Sequence, residues 1–490
     1  MPMITLRDFQ ILLVSAGMCL TMGQGFAQMS VPSSITLPEL GDASSTVLSV
    51  RQERRIGEEV FRQIRRDPSF MDDPEITEYL NALGGSLVSA SSMAGQSFEF
   101  FMIADPAINA FALPGGFVGI HSGLVLAAQS ESEFASVVAH EISHVTQRHI
   151  ARGIGSLQQL SIANLAGAIL AVLASRNGSQ AGQAIAMASQ AGAVQAQLAY
   201  TRDFEREADR TGIDLLMKAG FDASGMVSFF ERLQRATRLQ ENNAPGYLRT
   251  HPLTVERISD MQNRIQGTGY RQHLDKIDFQ LVRARLRASQ DTGKSAFDYF
   301  EQQLSEGRYS VEGAAQYGSA YAALRMANFP LAEQRIQIAN RLLGKHPMLD
   351  MLHARIAAGT GDMNRAISIL RASLDVRPDF RPSHYAEVEF LQRAGKFKEA
   401  LDAVERSLRM YPKDAKLYGL KAAALSSTGQ RFLSHQSQAE SYVLLGSLPL
   451  AIEQLQLGLK AGDANFYQLS SGEARLRELR QLLIEEGRVR

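Results

Sequence analysis

The sequence has almost no cysteine: Cys19 is the single one among 490 residues, and it lies in an apolar N-terminal segment. No disulfide framework can therefore form in the rest of the chain. Tryptophan is absent, and 51 basic residues balance 51 acidic ones, so the formal net charge is zero. This balance indicates neither a nucleic-acid surface nor strong adhesion to anionic lipid. The length and the 45% hydrophobic content predict a globular protein of two or three domains.

Long hydrophobic runs are also scarce, and the run at the N-terminus predicts an export signal. Arg7 precedes the apolar run Ile11 to Met22, and Gly25-Phe26-Ala27 places small residues where a signal peptidase needs them. The run is shorter than the ~20 residues of a membrane-spanning helix. A cleaved signal peptide over residues 1–27 is therefore favoured, with a retained membrane anchor as the alternative.

The most specific motif is His140-Glu141-Ile142-Ser143-His144, within the apolar stretch Phe134 to Ile150. On a helix, the two histidines lie one turn apart on one face, so both imidazoles can reach a single metal ion. Glu141 then projects beside that ion, in position to act on a water molecule. Ser130 offers an N-cap, and Glu133 completes a capping box that opens the helix. An ordinary amphipathic helix with two half-buried histidines is the alternative.

A third protein ligand is needed, because a catalytic zinc typically takes three side chains and a water. The best candidate lies downstream, in the charged stretch Arg202 to Asp209. On a helix, Glu205 and Asp209 share a face at i and i+4, whereas Glu207 points away. Glu205 can then bind the metal, and Asp209 can hydrogen-bond the distal nitrogen of a ligating histidine. A solvated, charged helix face is the alternative for this stretch.

Other segments predict the surroundings of this site. Short apolar or alternating runs at Phe98 to Ala104 and Phe117 to His121 predict a small β-element, with a Pro-Gly-Gly turn at 114–116. Residues 155–199 are rich in Ala, Gly, Ser and Gln, and neither of their apolar segments is long enough for a confident membrane span. A helical hairpin packed on the catalytic core is favoured there, with a lid over the cleft or a membrane-touching hairpin as the alternative.

The C-terminal half carries an internal repeat of 34 residues. This period is shared by three alanines, three glycines and two prolines: Ala332, Ala366, Ala400, Gly361, Gly395, Gly429, Pro378 and Pro412. Small residues where paired helices cross, and a proline ending the second helix, are typical of tetratricopeptide repeats. The pattern departs at Gly344, where a proline is expected, and its phase breaks after Gly429. We predict stacked helical repeats over residues 310–465, with a plain helical bundle as the alternative.

The zinc-site residues resemble those of the HtpX-like and CAAX-prenyl-protease-like zinc metallopeptidases. The resemblance rests on the pentad at 140–144, on Glu205-x-x-x-Asp209, and on two flanking motifs, Asn109-Ala110-Phe111-Ala112 and Thr250-His251-Pro252. With an export signal in front and repeats behind, the whole chain is similar to the periplasmic, repeat-bearing peptidases of the BepA type. The resemblance implies a mainly α fold with a small β-sheet, in which a gluzincin-type zinc metallopeptidase domain precedes a tetratricopeptide-repeat α-solenoid.

The expected domains are a signal peptide (1–27), the metallopeptidase (28–265, including the hairpin or lid candidate at 155–199), a helical linker (266–309) and the repeat domain (310–490). The resemblance implies one zinc ion per chain, and its ligands would be His140, His144 and Glu205. Glu141 would be the general base, and Asp209 would orient a ligating histidine.

Two further sets of residues take their roles from the resemblance alone. His251 is similar to a histidine that in BepA-type relatives can occupy the open zinc position and hold the enzyme latent. In other relatives, the corresponding histidine is assigned to the transition state. The residues Asn109, Ala110, Phe111 and Ala112 would belong to an edge strand that pairs with an extended substrate backbone.

The resemblance implies an exported zinc endopeptidase in the periplasm of a Gram-negative bacterium, peripheral to the outer membrane. It would act in quality control and assembly of outer-membrane β-barrel proteins. Its repeats would recruit unfolded or misassembled proteins, or the machinery that inserts β-barrels, and no nucleic acid is expected. The alternative is a repeat-based periplasmic chaperone or scaffold with a latent or structural zinc site. A third hypothesis, an integral-membrane peptidase, requires residues 161–199 to span a bilayer.

Overall fold

The computed structural model of the protein describes residues 48–154, 166–167, 169–170, 202–238, 246–266 and 273–489. The predicted signal peptide lies outside these residues, as does all but four residues of the predicted hairpin at 155–199. The described residues belong to one compact unit. Helices dominate this unit, as the mainly α fold class predicts.

The described strands form one four-stranded mixed sheet. They are β1 (Phe70–Met71), β2 (Glu99–Ile103), β3 (Ala110–Leu113) and β4 (Phe117–His121). Their order is β1-β2-β4-β3; β2 and β4 are parallel, and the other pairs are antiparallel, so β3 lies at an edge. The predicted Pro-Gly-Gly turn joins β3 to β4. Its two glycines, Gly115 and Gly116, have φ angles of 75° and 92°, a conformation that glycine adopts without strain.

Nine helices of the described residues surround the sheet or follow it within the first 266 residues. They are α1 (Val50–Ile64), α2 (Pro74–Ser89), α3 (Ser122–Ala127), α4 (Glu131–Thr146), α5 (His149–Ile154), α6 (Arg202–Ala219), α7 (Ser224–Arg238), α8 (Gly246–Thr250) and α9 (Val255–Gln266). The sheet is buried on both faces. Phe101 and Ile103 of β2 pack in one cluster with α1, and Phe100 and Met102 pack in another with α2 and α4. Side chains alternate between the two faces of a strand, so every residue of β3 and β4 is buried.

The remaining helices span the expected linker and the expected repeats, and we call them together the repeat part. They are α10 (Ile277–Gln290), α11 (Gly293–Glu306), α12 (Glu312–Arg325), α13 (Phe329–Leu343), α14 (Pro347–Gly359), α15 (Met363–Val376), α16 (Arg381–Arg393), α17 (Phe397–Met410), α18 (Ala415–Ser427), α19 (Arg431–Leu444), α20 (Leu448–Leu459) and α21 (Phe466–Val489). Consecutive helices pack against each other along this series. The repeat alanines Ala332, Ala366 and Ala400 are fully buried, and Gly361 and Gly395 turn the chain between helices with φ angles of 89° and 72°. The predicted helical repeats are confirmed.

A buried ion-pair cluster connects the repeat part to α2. Arg285 on α10 donates from Nη1 to Glu75 Oε1 at 2.8 Å and from Nε to Asp73 Oδ2 at 2.7 Å. Arg355 on α14 also reaches Glu75 Oε1, at 2.6 Å. The side chains of Arg285 and Glu75 are 3% and 0% exposed, so this cluster is shielded from solvent. It fixes the first repeat helices against the N-terminus of α2.

Candidate metal centre

Helix α4 presents His140, Glu141 and His144, all of which are buried. Its N-cap forms as predicted, because Ser130 Oγ accepts from Glu133 N at 3.2 Å. The predicted capping box is only half formed, since the Glu133 carboxylate accepts from Gln129 N, at 2.6 Å, rather than from the backbone of the N-cap residue. At 3.0 Å, the Nε2 atoms of His140 and His144 face each other, so the i, i+4 spacing does direct both rings to one point.

The helix ends earlier than the apolar stretch suggests. The apolar stretch runs to Ile150, but α4 stops at Thr146, and Arg148 has a φ angle of +53°. A left-handed conformation costs free energy for a residue with a side chain, so surrounding contacts must hold it. Glu53 of α1 supplies one, accepting from Arg148 Nε at 2.8 Å. The reversal starts α5 at His149, directly against His144.

Glu205 on α6 and His251 at the end of α8 complete a cluster of four donors. His251 Nδ1 lies 3.0 Å from Glu205 Oε1 and 3.4 Å from His140 Nε2. His144 Nε2 lies 3.5 Å from Glu205 Oε1. One ligand atom from each of the four residues lies within 4.8 Å of the others, and all four side chains are buried. The structure thus brings together three segments that lie far apart in the sequence.

The chemistry of this cluster fits a zinc ion. Zinc binds imidazole nitrogen and carboxylate oxygen at about 2.0–2.1 Å, which places neighbouring donors of a tetrahedron about 3.4 Å apart. The separations of 3.0–3.5 Å between Glu205, His251 and the two α4 histidines match that geometry. Burial alone would raise the pKa of Glu205, but His251 and His140 have a larger opposite effect and hold the pKa well below its usual value. The carboxylate therefore stays ionised. The cluster therefore offers three imidazoles and one buried anion.

Glu141 lies beside the donors rather than among them. Its Oε1 is 3.4 Å from His251 Nε2, and its side chain is fully buried. Burial raises the pKa of Glu141 above its usual value, while His251 and His140 oppose that shift. A buried carboxylate with a raised pKa suits proton transfer near neutral pH.

Asp209 lies behind His140, with Oδ1 3.0 Å from His140 Nδ1. Sequence reasoning expected this contact but missed Arg257, which binds the same carboxylate. Arg257 on α9 donates from Nε to Asp209 Oδ2 at 2.7 Å, and its Nη1 lies 2.8 Å from Glu205 Oε2. Arg257 is 3% exposed and neutralises two buried carboxylates at once. Its position six residues after His251 gives no periodic signal that would have identified it.

A second pair that the sequence did not predict lies behind His144. The Nδ1 atoms of His144 and His149 are 2.8 Å apart, and His149 Nε2 lies 3.2 Å from Glu207 Oε2. Glu207 was expected to point away from the metal, and it does, but towards His149. Burial lowers the pKa of His149 to about 4, although Glu207 raises it, so the ring is neutral at pH 7.

The predicted substrate strand is the edge strand β3. The backbone N–H of His121 donates to Asn109 O, which fixes the alternation of the β3–β4 ladder. In an antiparallel pair, alternate residues turn their N–H and C=O groups away from the partner. Ala110 and Ala112 therefore direct these groups towards the free edge, whereas Phe111 faces β4. The Ala112 N–H also lowers the pKa of Glu141, which places this edge next to the candidate base.

No helix among the described residues is both long and apolar enough to cross a membrane. The segment 161–199, on which the integral-membrane hypothesis depends, falls almost wholly outside them.

Comparison with known proteins places this centre in a family. The family model for Peptidase family M48 matches residues 74–265, and one for a tetratricopeptide repeat matches residues 357–424. The chain is 33% identical over 469 residues to the beta-barrel assembly-enhancing protease of Escherichia coli (strain K12), covering 94% of this chain and 95% of that protein. It is 40% identical over 324 residues to a putative beta-barrel assembly-enhancing protease of Vibrio cholerae serotype O1, covering 65% and 66%.

A more distant relative matches a shorter stretch of the chain. The mitochondrial metalloendopeptidase OMA1 of Schizosaccharomyces pombe is 27% identical over 221 residues, covering 44% of this chain and 61% of that protein. The match to the Escherichia coli protein extends over nearly the full length of both chains, and the family model spans the helices that carry the donors. The chain therefore belongs to peptidase family M48, as a metallopeptidase followed by tetratricopeptide repeats.

Proposed function

We propose that the metal of this peptidase is zinc, bound by His140, His144 and Glu205. The observation that carries the proposal is the buried cluster of four donors with tetrahedral spacing. Three imidazoles and one carboxylate suit zinc better than magnesium or calcium, which prefer oxygen ligands. When bound, zinc supplies Lewis-acid activation of a water molecule and of the peptide carbonyl.

The chain's own groups then perform the proton transfers. Glu141, beside the cluster, takes the proton of the attacking water and passes it to the leaving amine. Asp209 holds His140 through its distal nitrogen, so the ring keeps one tautomer and one orientation. The outward N–H and C=O groups of Ala110 and Ala112 hold an extended substrate next to Glu141 by adding a strand to the sheet. Asn109, at the start of this edge, is buried, and its side-chain oxygen lacks a hydrogen-bond partner among the described residues, so it is free to bind substrate.

His251 keeps the resting enzyme latent in this proposal. Its Nδ1 lies 3.0 Å from Glu205 Oε1 and 3.4 Å from His140 Nε2, close enough to take the fourth donor position, which an active site keeps for water. Its Nε2 lies 3.4 Å from Glu141 Oε1. Cleavage then requires His251 to leave that position. Once displaced, it can stabilise charge on the substrate carbonyl.

The biological role follows two of the relatives. The Escherichia coli and Vibrio cholerae proteins are named for enhancing β-barrel assembly, and the first matches this chain almost from end to end. We infer that this chain is exported to the periplasm of a Gram-negative bacterium. There it degrades misassembled outer-membrane proteins, and its repeats recruit those substrates or the insertion machinery.

Zinc quantitation and peptide cleavage test the proposal together. Purified wild type should contain one zinc ion per chain and cleave casein, and His144→Ala should lose both properties. Glu141→Gln should keep its zinc and lose cleavage by a factor of about 10²–10⁴, because only the proton acceptor is removed. The proposal fails if Glu141→Gln cleaves casein at the wild-type rate, or if His144→Ala retains stoichiometric zinc.

A second function, that of a repeat-based chaperone, is favoured by the position of His251 beside the three proposed zinc ligands. A centre closed by His251 does little hydrolysis, so the repeats would act by binding alone. Cells that carry Glu141→Gln as their single copy distinguish the two functions. A chaperone maintains β-barrel assembly in those cells, whereas a peptidase leaves misassembled barrels to accumulate.

A further inference from the structure

His149 is a buried histidine outside the proposed ligand set. Its side chain is 0% exposed, and its ring stacks on Phe204 with 4.5 Å between centroids and 6° between planes. One ring nitrogen faces His144 at 2.8 Å, and the other faces Glu207 at 3.2 Å. The cluster of four donors does not include it. Its function must therefore concern His144 rather than the metal directly.

The position of the metal determines which group donates in each hydrogen bond of the series His144, His149 and Glu207. His144 directs Nε2 towards the other donors, so metal binding there leaves its single proton on Nδ1. His144 Nδ1–H then donates, and His149 Nδ1 accepts with its lone pair. The proton of His149 is consequently on Nε2, where it is donated to the Glu207 carboxylate. Every link joins a donor to an acceptor.

Two contacts hold this series of hydrogen-bonded side chains in place. Arg152 Nη1 donates to Glu207 Oε2 at 2.9 Å, so the carboxylate is fixed from α5 as well as from its own helix, α6. The left-handed turn at Arg148, held by Glu53 of α1, places His149 beside His144 instead of further along a continuous helix. The unfavourable left-handed conformation of Arg148 therefore places the imidazole of His149 beside His144.

We propose that His149 is a positioning residue for His144, supported by Glu207, and that the pair slows the loss of the metal ion. His149 contacts His144 in the way that Asp209 contacts His140. Each of the two histidine ligands on α4 therefore has a hydrogen-bond partner that does not itself bind the metal. Such partners fix the tautomer and orientation of a ligating histidine, and their removal typically costs about 10- to 100-fold in metal affinity. This inference rests on the proposed zinc site.

The test is the rate at which zinc passes from the full-length protein to an excess of a chromogenic chelator. His149→Phe keeps the aromatic stack on Phe204 but accepts no hydrogen bond, and we expect about 10- to 100-fold faster zinc release. His149→Asn places an oxygen near the former Nδ1 position, and release should return towards the wild-type rate. Glu207→Gln should fall between wild type and His149→Phe.

Controls separate positioning from a structural role and from failure of the zinc site. Asp203→Asn, an exposed carboxylate change on the same helix as Glu207, should release zinc at the wild-type rate. The melting temperatures of the metal-free proteins should agree between wild type and His149→Phe, while zinc should raise the melting temperature of the variant less.

Three results would overturn the inference. One is zinc release from His149→Phe within about twofold of wild type. Another is an equal loss of stability with and without zinc, which would indicate a purely structural residue. The third is zinc release from His149→Asn as fast as from His149→Phe. If His144→Ala itself retains zinc, the proposed site has failed instead.

Discussion

At the scale of single residues, Arg257 joins helix α9 to two buried carboxylates of the centre. It contacts Asp209 and Glu205 and also donates to Pro252 O at 2.6 Å, in the loop after His251. Both carboxylates are at most 2% exposed. Without the guanidinium, each would be a buried charge with less compensation, and α9 would lose its connection to the centre.

Arg257→Ala should therefore lower the free energy of unfolding by about 3–5 kcal/mol, since breaking a buried ion pair leaves uncompensated charge. Urea unfolding of the metal-free protein measures this. Arg210→Ala is the matched control, because Arg210 connects the same two helices through Asp260 but is largely exposed. Its loss should cost under about 1 kcal/mol. Equal effects of the two changes would contradict the role given to Arg257.

His251→Ala tests the latent state. If His251 leaves the fourth position in about 10% of molecules at rest, removing it should raise casein cleavage about tenfold. A fluorogenic casein assay measures the rate. The double variant with Glu141→Gln should be inactive, which excludes a contaminating peptidase. A decrease in the rate would instead assign His251 to the transition state.

The residues that sequence could predict are those whose relation is local. His140, Glu141 and His144 follow from helical spacing, and the i, i+4 relation predicted that Glu205 and Asp209 share a face. Their meeting with the α4 histidines across the fold required the resemblance to a family. Arg257 and His149 were missed, because an isolated arginine or histidine carries no period. Each of them contacts a carboxylate on α6, a helix that is distant in the sequence.

At the scale of elements, the fit between α2 and β2 depends on a small residue. Gly84 lies where the helix crosses the strand, and a Cβ there would be 2.3 Å from the ring of Phe100. Gly85, the next residue on the same helix, has nothing within 4 Å of such a Cβ. The two glycines therefore differ in their surroundings: Gly84 faces the ring of Phe100, and Gly85 faces open space.

Gly84→Ala should destabilise the protein by about 1–3 kcal/mol, because the buried ring of Phe100 must move. Gly85→Ala should stabilise it by up to about 1 kcal/mol, because alanine favours a helix and meets no neighbour. Thermal unfolding of the two variants compares them directly. A lower melting temperature for Gly85→Ala than for Gly84→Ala would contradict this packing.

The type of most elements was predictable, and some of their ends were not. The apolar run continues past the end of α4 to Ile150, because an apolar pattern does not show the left-handed residue Arg148. That turn depends on Glu53, nearly a hundred positions earlier in the chain, as the contact at 2.8 Å shows. The 34-residue period identified the repeats more directly, since each unit repeats the same local packing.

At the scale of the whole molecule, the contact of Arg285 with Glu75 couples the repeats to the peptidase. Arg285→Ala should lower the free energy of unfolding by about 3–5 kcal/mol. It should also make the chain between the two parts more accessible to limited proteolysis. Arg287→Ala is the control, because Arg287 lies on the same helix but contacts Gln290 and the ring of Tyr299, both within the repeat part. Equal proteolysis of both variants would show that the cluster does not hold the two parts together.

The long separation of the donors has a consequence for newly made protein. His144 and Glu205, two of the proposed ligands, lie 61 positions apart in the sequence. Bringing such distant groups together costs chain entropy, so their meeting comes late in folding. A chain in which α4 has folded but α6 has not yet packed against it holds two of the proposed metal ligands without the third. Such a chain cannot yet cut its neighbours or itself.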